Sequence, residues 1–90
     1  MLNKIERKLI VEEKDVTTVM AVINRHHSFF SNKKMTTGNC GWKDQPDKWY
    51  IYFYASGKEW GSIVGELSTL GNITVDVTPR GATVLHYVRN

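Results

Sequence analysis

The spacing of apolar positions changes several times along this chain, and each change marks an element. Leu9-Ile10-Val11 followed by Glu12-Glu13 is a short, partly β-branched segment bounded by charge, which predicts a first strand over 9–13. From Val16 the period lengthens. Val16, Val19, Met20, Ile23, His27 and Phe30 recur at helical spacing while Thr17, Thr18, Asn24 and Arg25 fall off that stripe. This predicts a first helix, capped by Asp15 and fraying near Ser28. After a loop at Asn32-Lys33-Lys34, Met35 to Trp42 reads as a second strand made irregular by Gly38 and Gly41.

Asp44-Gln45-Pro46-Asp47 is turn chemistry, because proline fixes φ and short acidic side chains bond to nearby backbone N–H groups; a hairpin into the next segment is expected. That segment, Lys48 to Ala55, is dense in aromatic and β-branched side chains that crowd a helix and suit a pleated sheet, so it predicts a central strand. Ser56-Gly57-Lys58-Glu59 has the spacing of a capping box opening a second helix. Trp60, Ile63, Val64, Leu67 and Leu70 form its apolar face, and Gly71-Asn72 stops it. Ile73 to Thr78 alternates, Pro79-Arg80-Gly81 turns, and Thr83 to Arg89 returns as a terminal strand.

The order β-α-β-β-α-β-β predicts an α+β fold. It is the split arrangement of a ferredoxin-like two-layer sandwich with an extra antiparallel strand appended at the C-terminus. Both helices would cover one sheet face, leaving the other open. Nothing in residues 1–90 suggests a linker or a repeat, so a single domain is expected.

A hydrophobic fraction of 41% and a charged fraction of 23% are those of a globular chain rather than a disordered one. Cys40 is the single cysteine, which excludes an intramolecular disulfide and a CxxC half-site and suits a reducing compartment. With no apolar stretch of signal-peptide or membrane-span length, a cytoplasmic protein without a membrane partner is expected. The net charge of +3 gives only a weak preference for an acidic partner.

Alternation along the aromatic strand places Trp49, Ile51 and Phe53 on one side and Tyr50, Tyr52 and Tyr54 on the other. The first set would join Leu9, Val11, Ile73, Val75 and Val77 under the helices. The tyrosines would line the open face beside Thr74, Asp76 and Thr78. Tyrosine offers rigid contact area with a polar tip, as interfaces use it, although the same stripe also serves as cross-strand packing. Tyr50, Tyr52, Tyr54 and Tyr87, with Lys48, Arg80 and Arg89 as a basic rim, are therefore the candidate partner-binding residues.

The element order and the aromatic strand resemble RNA recognition motifs, in which bases stack on sheet aromatics. Lys48 stands where their signature has its basic residue, but Trp49 replaces its glycine and Leu9-Ile10-Val11 lacks its aromatic. The order is also similar to ACT-type regulatory domains, which bind small ligands through a glycine-containing turn after the first strand. Here that turn is Glu12-Glu13-Lys14-Asp15, without glycine.

Catalysis would draw on His26, His27, Cys40 and His86. Adjacent His26 and His27 point about 100° apart on a helix and cannot share one metal as an i, i+4 pair does. Cys40 reads most simply as a small buried hydrophobe, and Asp44 and Asp47 as turn formers. Gly61 and Gly65 form a smooth strip suited to close helix packing, and no phosphate-binding glycine loop is present. No catalytic residue, metal or cofactor is expected. The sequence reading is a small non-enzymatic interaction module that binds a protein partner or self-associates through its sheet face or edge strand, such as a bacterial or mobile-element inhibitor or adaptor. Single-stranded nucleic-acid binding is the alternative, and a small-ligand regulatory domain the third reading.

Overall fold

Five strands and two helices alternate in the computed structural model, which describes residues 4–26, 35–77 and 83–90, the Thr83 side chain excepted. The strands are β1 (Ile5–Glu12), β2 (Thr36–Asn39), β3 (Lys48–Ala55), β4 (Gly71–Val77) and β5 (Thr83–Arg89). The helices are α1 (Val16–His26), entered through a 3₁₀ turn at Glu13–Asp15, and α2 (Gly57–Leu70). The α+β class and the order of elements are as the apolar pattern predicts. His27, Phe30, Lys33, Lys34 and the turn at Pro79-Arg80-Gly81 lie outside the described residues.

The strands form one mixed sheet in the order β2-β3-β1-β5-β4. β3 runs antiparallel between β2 and β1, and β4 and β5 form the expected antiparallel hairpin. The last strand, however, is inserted rather than appended: β5 lies parallel to β1, with Leu9 beside Leu85 and Ile10 beside His86. Consequently β1 is the middle strand and β4 the rim. Composition explains the exchange, because β5 brings Val84, Leu85 and Tyr87, all buried, whereas β4 alternates with Asn72, Thr74 and Asp76, which an edge tolerates.

Both helices pack on one sheet face. Leu9, Val11, Ile51, Phe53, Ala55, Leu85 and Tyr87 meet Val19, Val22 and Ile23 of α1 and Ile63 and Leu67 of α2 in a single core. Each fully buried large aliphatic or aromatic residue contributes about 1.5–3 kcal/mol. Ile73 packs against this core, but Val75 and Val77, on the same rim strand, do not join it: they are 60% and 68% exposed.

Local chemistry fixes the helix ends. The Ser56 hydroxyl accepts from the Glu59 N–H at 3.2 Å and Glu59 Oε1 accepts from the Ser56 N–H at 2.9 Å, so the capping box is formed. Lys4 also pairs with Glu59, tying the start of the chain to α2. Asp15 is the last residue of the 3₁₀ turn and is buried, not an exposed cap. At the end of α2, a Cβ on Gly71 would meet Arg89 Cα at 2.8 Å and Tyr87 Cε1 at 2.9 Å, so close approach of β5 is what requires glycine there. Gly61 and Gly65 ease no packing: a Cβ at either meets nothing within 4 Å.

Glu66 joins the two helices, receiving Arg25 and holding His26 Nε2 at 2.8 Å from Oε1. Hydrogen bonds from Arg25 and then His26 hold its carboxyl below the ordinary carboxylate range. A carboxyl whose folded pKa is depressed adds stability above its unfolded pKa and loses it as pH falls through the folded value. Glu66→Gln is therefore expected to lower the thermal midpoint at pH 7, with the gap to wild type closing in acid. Melts followed by circular dichroism from neutral pH to below the carboxylate range check this, and a gap independent of pH would count against it.

Candidate functional site: the aromatic sheet face and its crossing loop

Register assigns the face away from the helices. Gly38, then Tyr50, Tyr52 and Tyr54, then Glu6, Lys8 and Ile10, then Val84, His86 and Val88, and finally Asn72, Thr74 and Asp76 follow one another across the sheet. This face is open only in part, since Ile10 is 2% and Val84 8% exposed while the tyrosines are half-buried. The cover is the segment 40–47 between β2 and β3.

That loop is held from several directions. Gly41, at φ 78°, takes the left-handed conformation that glycine adopts without strain, and it turns the chain back. Asn39 braces the turn, its Oδ1 accepting from the Gly41 N–H at 2.7 Å while its Nδ2 donates to the Pro46 carbonyl at 2.8 Å. Cys40 N–H donates to the Lys48 carbonyl and Glu13 N–H to the Asp47 carbonyl, at 2.9 and 2.8 Å. So held, Trp42 stacks on His86 with ring centroids 6.4 Å apart and planes 26° apart.

Two cavities share Lys8, Ile10 and Trp42 as walls. The larger, about 430 Å³, is closed by Asp44, Gln45, Asp76, Val77, Val84 and His86, with His86 Nε2 3.0 Å from Asp76 Oδ2. The smaller, about 190 Å³, is closed by Cys40, Tyr50 and Tyr52. Tyr50 and Tyr52 lie with centroids 4.7 Å apart, and the Lys8 ammonium stands 5.0 Å from the Tyr52 centroid, within cation–π range. A Cβ on Gly38 would stand 2.7 Å from Tyr50 Oη, so the neighbouring glycine is what lets Tyr50 lie across β2.

Of the sequence candidates, Tyr50, Tyr52, Tyr54 and Lys48 share this face, each half-buried. Tyr54 Oη reaches Glu6 at 3.4 Å. Two candidates belong elsewhere. Tyr87 is fully buried in the helix-side core, because its partners in register, Ile73 and Leu85 two residues before it, face the helices. Arg89 shares that side, with its guanidinium 4.0 Å from Asp15. Arg80 lies outside the described residues. Burial, and then the nearby Asp15 carboxylate, push the Tyr87 phenol above its ordinary pKa. Tyr87 Oη and Asp15 Oδ2 both find no hydrogen-bond partner among the described residues.

The titratable candidates divide between the layers. His26 pairs with Glu66 on the helix side, while His86 and Cys40 border the two cavities of the opposite face. Cys40 is half-buried, and burial raises its thiol pKa against the lowering pull of Lys8 and Lys48. Among the described residues no three or more of His, Cys, Asp and Glu converge as a metal site. Asp44 and Asp47 are separated by the turn, Asp44 lining the larger cavity.

Sequence reasoning missed Trp42, Lys8, Ile10 and the His86–Asp76 pair. The continuous run Leu9-Ile10-Val11 was the available signal, since an unbroken apolar run marks a strand covered on both faces. The chain matches no protein-family model, no curated protein and no solved structure, so the site is read from its own geometry.

Because the buried Tyr87 hydroxyl has no hydrogen-bond partner among the described residues, Tyr87→Phe is expected to leave stability within about 1 kcal/mol of wild type or to raise it. Tyr87→Ala, which empties the core, is expected to cost about 3–5 kcal/mol. Urea unfolding of both variants checks the pair, and a large loss in the phenylalanine variant would show the hydroxyl to be satisfied.

Proposed function

We propose that this protein is a non-enzymatic interaction module that binds a protein partner across the aromatic sheet face, on a ferredoxin-like unit into which the last strand has been inserted. The observation that carries this is the cluster of Tyr50, Tyr52 and Lys8 bordered by Trp42, half-exposed on a hydrogen-bonded sheet. Tyrosine and tryptophan ordered before binding lose little entropy on contact, and such residues dominate interface energetics. Lys8 and Lys48 at this face and Asp44 and Asp76 beside it set orientation through charge. The separation of His26 from Cys40 and His86 favours this reading over catalysis. An inhibitor or adaptor acting by surface burial fits it.

One observation favours a second reading. An ammonium above a tyrosine ring is also how single-stranded nucleic acid is met, with stacking for bases and charge for phosphate. The two readings differ in salt dependence, which is steep for nucleic acid.

Tyr52→Ala is expected to weaken the complex with a captured protein partner by more than about 1 kcal/mol while the circular dichroism spectrum is unchanged. Calorimetric titration of wild type and variant makes the measurement, and an unaltered affinity would move the interface elsewhere. A mixed single-stranded oligonucleotide that binds wild type with a steep loss on added salt would replace the protein-partner reading with the nucleic-acid one.

A further inference from the structure

The rim strand β4 offers a second surface along its outer edge, away from the tyrosines of the aromatic face. It pairs with β5 over Gly71 to Val77, and no strand lies along its other edge among the described residues. Val75 and Val77 are the two most exposed large hydrophobic residues described. Natural edges are blunted with lysine, proline or bulges, and Gly71-Asn72-Ile73-Thr74-Val75-Asp76-Val77 has no lysine or proline and a single charge.

This strand is complementary to itself. In an antiparallel pair, residues opposite each other share a face, so a two-fold axis must pass through a residue rather than between two. Centred on Asp76, the pairing would set two carboxylates against each other, which is unfavourable. Centred on Thr74, all seven residues are used. Thr74 then faces its own copy, Ile73 faces Val75, Gly71 faces Val77, and Asn72 can donate to Asp76. Apolar side chains meet on one face, polar ones meet on the other, and no like charges are opposed.

The helix layer leaves room for this. α2 packs against β4 on one flank and α1 on the other, with Glu66 marking the α1 side. Roughly 200° around the helix from Glu66 lie Gly61 and Ser68, both exposed. A smooth flank therefore stands over the β4 edge, where a neighbouring α2 would come.

We propose that two copies of this chain pair antiparallel along β4 about a two-fold axis at Thr74, joining their five-stranded sheets into one. Tyr50, Tyr52 and Lys8 lie on strands away from this edge, which shares only Asp76 and Val77 with the larger cavity, so Tyr52→Ala and Val75→Lys read the two assignments separately.

Light-scattering mass after size exclusion, across a concentration series reaching the millimolar range, is expected to approach twice the 10.3 kDa of one chain. Val75→Lys, at a position exposed in the single chain, is expected to keep the wild-type circular dichroism and raise the dimer dissociation constant at least about tenfold. Register is read separately by mild oxidation in a Cys40→Ser background. Thr74→Cys is expected to give a covalent dimer, since directly opposed Cα atoms stand about 4.5–5.5 Å apart, within disulfide reach, while Asn72→Cys is not. A monomeric wild type throughout the series overturns the proposal. So does a dimer that Val75→Lys leaves intact, or one cross-linked through Asn72→Cys and not through Thr74→Cys.

Discussion

The middle of β1 has no free face, and the remainder of the molecule is arranged around that constraint. Leu9, Ile10 and Val11 are consecutive, so alternation sends Leu9 and Val11 to one side of the sheet and Ile10 to the other, yet all three are at most 2% exposed. A strand of this kind needs a neighbour on each edge and a cover on each face. β3 and β5 supply the edges, the helices cover one face, and the 40–47 loop with Trp42 covers the other. Parallel pairing of β5 with β1 belongs to the same logic, because parallel strands occur where both faces are covered.

Covering Ile10 with a loop rather than a helix has a consequence for function. A helix would have hidden the whole face, whereas the loop crosses only its middle and leaves aromatic surface and two cavities on either side of Trp42. The loop is pinned at both ends by backbone bonds to Lys48 and Glu13 and internally by Asn39, so the segment that carries the indole is held by the rest of the fold. Surface ordered in advance binds with less entropic loss than surface that must be arranged on contact.

Competition between β4 and β5 for the place beside β1 determines what the rim presents. The interior position went to the strand with buried residues on both faces, Val84 and Leu85, and the rim to the strand that alternates with Asn72, Thr74 and Asp76. That assignment leaves Val75 and Val77 exposed and outside the core. It also turns Tyr87 inward, where its ring fills the core and its hydroxyl does not bond among the described residues.

What the sequence determined by itself is whatever depends on neighbours within a turn or a strand: the helical stripe from Val16 to Ile23, the capping box of Ser56 and Glu59, the alternation of Lys48 to Ala55, and the two hairpins. These follow from backbone preferences and side-chain period, which act over a few residues. Tertiary structure alone decided which strand stands beside β1, that Trp42 comes to rest on His86, and that Tyr87 and Arg89 face the helices rather than the tyrosines. Alternation divides a strand's residues into two sets without saying which set is inside. That choice is made by burial summed over elements far apart in the chain, where one exchanged strand or one folded-back loop changes the surroundings of every side chain it passes.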